Sequence, residues 1–544
     1  MCFRRIASAI LHPGIGSPRD HLIGREWFRT YSTDFPYHGT MRVALVNPNR
    51  IKPPISPLGL EYVAEGLLAA GHEVNILDLC WEEQPDMAIP AFFNSREYGL
   101  VGISIRNTDD CSFATRASFL PGYSSIVETI RKHSGALIVA GGVGFSVMPD
   151  PVMAITGVDA GVIGDGEFTL AGIADRSQRQ ASWEDLPNLV LHRNGVFRRN
   201  PVSAVPLSRM PPMSRTLVDN RKYYLEGGQA GIETKRGCPM GCVYCADPLA
   251  KGSSVRLRPP EDVVAELGRL LAQGIEHVHI CDSEFNVPED HALEICGEII
   301  RGGLGDRIHW YAYCKPGPFS RKLARQMRCS GCRGINFGAD SGDEGMLGRL
   351  GRDFGPSEIL SAARLCRENG IAVMFDLLLG APGETRESIA RTIEVMRQSG
   401  ADRIGVTIGV RVYPGTRLAK EVRREDLRKG LVGGTDLRDP VFFLEPGITP
   451  TVFDQLDALV GKDSRFLFFD PDRPDRNYNY NANQVLVRAI REGHRGAYWD
   501  ILRRVHDSLP IQGHPVSGRS QRIPPTGSPL IQGLCRKRDP SCDA

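Results

Sequence analysis

The stretch "RGCPMGCVYC", residues 236–245, places three cysteines at C-x3-C-x2-C within eight residues. A closed structural zinc site takes four Cys or His ligands, usually as two pairs, and no second C-x2-C with a suitable partner stands nearby. Zinc is therefore the weaker reading. Cysteine thiolates also hold iron-sulfur clusters, and three of them on a four-iron cluster leave one iron open to a further ligand, which suggests chemistry. Accidental burial of three thiols is the bland alternative. Gly237, Pro239 and Gly241 favour a turn wrapped around something over a packed core.

Reading outward, "AGIETKRG" (230–237) is a short strand that delivers the chain into the cysteine loop. Helical spacing follows at 260–274 and 289–303, and strands at "EHVHICDSEF" (276–285), "RIHWYAY" (307–313), "RGINFGADSG" (333–342), "IAVMFDLLLGAPGET" (371–385) and "RIGVTIGVRVYPGT" (403–416). Six β/α units predict a partial (β/α)6 TIM-type barrel, whose chemistry sits at the carboxyl ends of the strands. The cysteines occupy the loop after its first strand.

The N-terminal half alternates in the same way. "RVALVNP" (42–48), "EVNILDL" (73–79), "YGLVGISI" (98–105), "ALIVAGGVG" (136–144) and "DAGVIGDGE" (159–167) are apolar strands separated by helical segments. This pattern predicts a doubly wound, Rossmann-like α/β domain with a parallel sheet, its ligand beyond the carboxyl ends of the strands. The loops there carry Asn47, Pro48, Asn107, Thr108, Gly141 and Gly142, of which the last four are the candidate cofactor contacts. By itself this half reads only as a nucleotide or cofactor binder.

These signals divide the chain into a disordered leader (1–40), a cofactor domain (41–200), a linker (201–229), the barrel (230–420), a C-terminal accessory region (421–514) and a disordered tail (515–544). Residues 168–230 as a whole look like a connector, Pro-rich at "PVSAVPLSRMPPMSR" (201–215). Lys plus Arg is 66 against 64 Asp plus Glu, so the balance gives no electrostatic case for nucleic acid or an anionic membrane. A small-molecule substrate is the default partner. No apolar run approaches a membrane span, which predicts a cytoplasmic protein whose fourteen cysteines stay reduced.

With these residues in hand the chain resembles the radical S-adenosylmethionine (SAM) enzymes. "CPMGCVYC" matches their cluster loop, which implies that Cys238, Cys242 and Cys245 ligate a 4Fe-4S cluster and that Tyr244 neighbours the SAM adenine. The resemblance implies that SAM chelates the open iron and is cleaved to a 5′-deoxyadenosyl radical, with electrons from an external donor of flavodoxin or ferredoxin type. "CDSEF" stands where the family has Gly-Gly-Glu, so Asp282, Ser283 and Glu284 are candidates for the SAM amino group; Asp340 in "FGADSG" stands where Glu is usual and would face the ribose. "LLLGAPGET" (377–385) and "RVYPGT" (411–416) match the branch that carries an N-terminal cobalamin domain.

The first half is similar to that cobalamin domain from "RVALVNP" to "EVNILDL", and "VAGGVGFSVMPDPV" resembles the segment holding the nucleotide tail. D-x-H-x-x-G, the motif that gives cobalt a histidine, is missing, so the lower face of cobalt is expected to be free or water-bound. The resemblance implies a cobalamin-dependent radical SAM methyltransferase of natural-product (antibiotic) biosynthesis, using methylcobalamin to methylate an unactivated carbon or a phosphinate phosphorus. The first expectation is P-methylation of an N-acetyldemethylphosphinothricin-type phosphinate. The alternatives are C-methylation of a phosphonate or aminoglycoside, and a non-methylating cyclase or ring-contraction enzyme.

Three further features are open. Cys314, Cys329 and Cys332 read as core packing or an auxiliary cluster. His277 and His279 share one face of a strand and read as packed or catalytic. "DRPDRNYNYNANQ" (472–484) reads as the lining of a substrate mouth or as a solvated connector.

Overall fold

A computed structural model describes residues 39–508 except 425, 471, 472, 474, 475 and 482. The expected disordered leader, up to residue 38, and the expected disordered tail lie outside the described residues.

The N-terminal sheet holds β1 (Arg42–Asn47), β2 (Glu73–Asp78), β3 (Leu100–Ser104), β4 (Leu137–Gly141), β5 (Ala160–Val162), β6 (Leu189–Arg193) and β7 (Val196–Arg199), in the order β2-β1-β3-β4-β5-β6-β7. β1 and β3 are buried almost throughout, because helices cover both faces of a parallel sheet and leave no polar alternation. β1 through β5 pair in parallel, and the order reverses between β1 and β3, where such sheets bind ligands. The expected all-parallel sheet needs one correction: β6 and β7 are an antiparallel hairpin on its edge, within the stretch read as connector. Its turn is Asn194-Gly195, both at positive φ (51° and 77°), the pairing a two-residue hairpin favours.

The second sheet is built from β8 (Ala230–Ile232), β11 (His277–Ile280), β12 (His309–Cys314), β13 (Cys332–Asp340), β14 (Ala372–Leu379), β15 (Arg403–Ile408) and β19 (Phe466–Phe468), in the order β19-β15-β14-β13-β12-β11-β8 and parallel at every step. Six strands follow the expected β/α units. The seventh, β19, comes from the C-terminal region and pairs with β15 (Ile404↔Phe466, Val406↔Phe468). Three consecutive apolar residues are too few to show a period, which is why this strand was not legible. Between β8 and β11, the short antiparallel pair β9 (Lys235–Arg236) and β10 (Arg256–Leu257) brackets the cysteine loop. β16 (Val410–Arg411), β17 (Leu431–Val432) and β18 (Phe442–Phe443) make a small antiparallel sheet after β15.

The barrel helices are placed by local signals. The helix Arg386–Ser399 starts at Thr385, whose side chain accepts from the Ser388 amide, and stops at Gly400 in the left-handed region. Outward-facing Val278, Ile280, Phe337, Phe375 and Ile404 join one apolar core beneath these helices.

A buried ionic network ties the two halves together. Arg215, within the expected linker, lies 3.0 Å from Glu61 of the first domain and 2.8 Å from Glu266 of the barrel, which also holds Arg258 at 2.8 Å. Such pairs add little net stability, but each partner leaves a buried charge behind if removed, so they fix geometry.

Candidate active site

The cysteine loop is shaped by its backbone. Gly237 has φ +91°, and a Cβ there would meet Ser254 O at 2.1 Å, so only glycine turns the chain here. The far side of the loop is pinned by the Val243 amide on Leu350 O (3.0 Å), the Leu418 amide on Val243 O (2.8 Å) and Arg417 Nη1 on Gly241 O (3.0 Å). Cys238, Cys242 and Cys245 are free thiols. Burial raises all three above the usual thiol range, Cys245 to about 12 with Asp247 adding to the effect. Three unpaired thiols of one loop have the donor chemistry of an iron-sulfur cluster, whose binding releases their protons.

Sequence reasoning missed the residue that organises this site. Arg352, in the turn after the helix Glu344–Leu350, donates from Nη1 to Cys242 Sγ at 2.9 Å and from Nη2 to Gly338 O. Its Nε lies 3.3 Å from Asp340 Oδ2 and its Nη2 3.8 Å from Glu284 Oε1. Tyr244 donates to Asp340 Oδ2 at 2.5 Å. Asp340 sits at φ +62° where the β13/β14 register shifts, a bulge that re-aims its side chain, with backbone strain at a functional position. Burial pushes Glu284 up to about 7, against the pull of Arg352, and its Oε2 is buried without a hydrogen-bond partner among the described residues. A single arginine without motif context gave no signal for this role.

The other candidates on "CDSEF" are engaged differently. Asp282 is buried, accepts from the Thr234 amide at 2.8 Å, the Lys235 amide at 3.3 Å and the Thr234 hydroxyl, and so clamps the chain entering the loop. Ser283 donates to Asp247 at 2.6 Å.

Two cavities meet between the domains. The first, about 380 Å³, lies over the carboxyl ends of β1, β3 and β4 and is lined by Asn47, Gly59, Gly141, Gly142, Asp165 and Cys281. A Cβ on Gly59 would meet no protein atom within 4 Å and one on Gly141 only Val162 O at 3.9 Å, so these backbones face open space. That cradle fits a broad cofactor approaching main chain closely, as cobalamin would. The second cavity, about 510 Å³, runs from Cys245, Tyr244 and Asp340 to Asn107 and Thr108. Arg106 and Val143 line both. Thus Gly141 and Gly142 lie on the first cavity, and Asn107 and Thr108 on the chamber beside the cysteines.

Interdomain bonds hold this arrangement. Arg236, directly before the cysteine loop, pairs with Asp165 (3.0 Å) and Glu167 (2.7 Å) of the first domain. Across the chamber, Arg411 pairs with Asp109 at 2.8 Å. Of the segment 472–484, Tyr478 and Tyr480 line the chamber, and Asn481 donates to Asp110 O at 3.4 Å.

The remaining candidates are structural. His277 and His279 lie on the strand face opposite Val278 and Ile280; His277 Nδ1 is 3.0 Å from the Tyr224 hydroxyl, and the His279 ring packs 5.1 Å from Tyr313. Cys314 and Cys332 are wholly buried in the barrel core, while Cys329 is exposed.

Residues 232–396 match the radical SAM superfamily and residues 46–174 the B12 binding domain. The tryptophan 2-C-methyltransferase of Streptomyces laurentii is 32% identical over 448 residues, spanning 70% of this chain and 74% of that protein. The structure of the radical SAM methyltransferase TsrM from Kitasatospora setae, with tryptophan and a SAM analogue bound, aligns with a TM-score of 0.80 at 28% identity, over 86% of this chain and 98% of that one. The same enzyme with cobalamin and a [4Fe-4S] cluster aligns at 0.78 and 27%, over the same shares. The cofactors here are accordingly a 4Fe-4S cluster, SAM and cobalamin, and the substrate is a small molecule. With this cysteine loop, glycine cradle and shared chamber, and with a relative 32% identical over 70% of this chain, the protein belongs to the family of cobalamin-dependent radical SAM methyltransferases.

Proposed function

We propose that the enzyme methylates a ring carbon of an aromatic amino acid, with tryptophan as the first candidate, within a natural-product pathway. The observation that carries this reading is the chamber wall: Tyr313, Tyr413, Phe469, Tyr478 and Tyr480 surround it, and the exposed guanidinium of Arg106 stands at the entry from the cobalamin side. Aromatic walls hold a flat ring by stacking, and a guanidinium suits a carboxylate. The 32% identical relative is named for tryptophan methylation.

Overall, a methyl group from SAM replaces a ring hydrogen, leaving S-adenosylhomocysteine and a proton. When bound, the cofactors supply electron transfer and the methyl carrier. In this reading Cys238, Cys242 and Cys245 hold the cluster. Tyr244, Asp340, Glu284 and Ser283 set SAM against it, with Asp282 shaping the chain beneath. The backbones of Gly141 and Gly142 would hold cobalamin in the first cavity, and Asn107 and Thr108 would hold it from the chamber. This overall reaction consumes no electrons, so a flavodoxin- or ferredoxin-type donor would serve to return oxidised cofactors to their active state.

A phosphinate, the first sequence expectation, has weaker support: it brings no flat ring to the aromatic wall. The test is incubation of the reduced, reconstituted enzyme with methyl-labelled SAM and either tryptophan or the phosphinate. Labelled methyl on the indole ring supports the reading; label on phosphorus alone overturns it.

A further inference from the structure

Asp376 projects from β14 into the chamber, and nothing in the cluster or cobalamin chemistry uses it. Its Oδ2 accepts from Asn336 Nδ2 at 2.9 Å. Its Oδ1 is buried and has no hydrogen-bond partner among the described residues, and the same holds for Asn336 Oδ1. With Asp376 ionised, Asn336 turns its amide nitrogen to it, since a carboxylate only accepts. In that state two buried acceptors, Asp376 Oδ1 and Asn336 Oδ1, are reached by no donor among the described residues.

The neighbours do not relieve this. Gly405 on β15 admits the carboxylate: a Cβ there would stand 2.7 Å from Asp376 Oδ1 and 2.8 Å from the Tyr478 ring. The Tyr478 hydroxyl is paired with Thr407 at 2.9 Å. Asp340 adds negative charge, and the phenol rings of Tyr313, Tyr478 and Tyr480 surround the group. Leaving buried acceptors unmet costs free energy that a ligand rich in donors recovers. An ammonium brings three N–H donors and a positive charge, which aromatic faces also attract.

We propose that Asp376, oriented by Asn336, receives the amino group of the substrate and makes the enzyme selective for cationic aromatic amines. This rests on the reading of the chamber as the methylation site of a small aromatic molecule. Asn336 acts through Asp376 and is a positioning residue.

The test is binding to the reconstituted full chain by calorimetry, using pairs that differ only in the amine: tryptamine against 3-ethylindole, and phenethylamine against ethylbenzene. A charge-assisted hydrogen bond of this kind predicts that the amines bind roughly tenfold or more tightly than their neutral partners. In Asp376→Asn that ratio falls to about twofold or less, with iron and cobalamin content kept and the neutral ligands bound as before. A wild-type ratio near one means that ordered water fills the site, and overturns the proposal without recourse to any variant. An unchanged ratio in Asp376→Asn also overturns it. A preference in the phenyl pair with no binding of either indole supports the amine anchor and overturns the indole substrate.

Discussion

Arg352 and Cys242 are joined directly, the guanidinium Nη1 donating to Sγ at 2.9 Å although 110 positions separate them. The same side chain, 4% exposed, spans Asp340 and Glu284. Replacing it by glutamine would strand two buried carboxylates. Arg352→Gln is expected to cost about 3–5 kcal/mol of stability in denaturant titration, and Arg352→Lys, which keeps the charge without the fork, less.

Only one C-x3-C-x2-C loop is present, so one four-iron cluster is expected per chain after anaerobic reconstitution. Cys238→Ala, Cys242→Ala and Cys245→Ala should each abolish methyl transfer from SAM to the substrate, and the triple variant should hold almost no iron. Iron content equal to wild type in the triple variant would sink the ligand assignment.

No histidine lines the first cavity among the described residues. The electron paramagnetic resonance spectrum of bound cob(II)alamin should therefore lack the nitrogen superhyperfine splitting of a histidine ligand. Gly141→Leu places a side chain into the open space over β4 without backbone strain, and is expected to weaken cobalamin binding by roughly tenfold or more while circular dichroism is unchanged. Unaltered affinity would mean the cofactor lies elsewhere.

Arg236 bridges the domains next to both cavities. Arg236→Met leaves the buried Asp165 and Glu167 and the half-buried Glu233 without this cation, though Asp165 keeps Arg256. The expected loss is about 3–5 kcal/mol, accompanied by weaker cobalamin binding because Asp165 and Glu167 line that cavity. Denaturant titration and absorption titration with cobalamin read the two effects separately.

Burial pushes Asp376 up to about 7, with Asn336 pulling down and Asp340 adding to the rise. Its charged fraction grows as pH climbs through about 7, so tryptamine should bind more tightly at pH 8 than at pH 6, and Asp376→Asn should remove that slope. For folding the sign is opposite. The folded value lies above the unfolded one of about 3.9, so ionisation opposes the fold, and this group lowers stability as pH rises from about 4 to about 7. Glu284 titrates in the same range, so the informative quantity is the difference between wild type and Asp376→Asn.

Much of this protein is written locally. Each apolar run from "RVALVNP" onward announces a strand, because burial by helices on both faces demands unbroken apolar side chains there, and the three cysteines announce a cluster loop because a ligand set carried by one turn needs no distant partner. What the chain does not announce are the pairings across it. Arg352 meets Cys242, Asp376 meets Asn336 and Gly405, Tyr478 and Tyr480 close the chamber, and β19 extends the barrel sheet, each joining segments brought together only when the strands align in register. An isolated arginine, aspartate or three-residue strand has no period to betray it. Its role is set by the desolvated surroundings that packing creates, so the sequence determined the class of chemistry and the tertiary structure decided which charges stand in the chamber to choose the substrate.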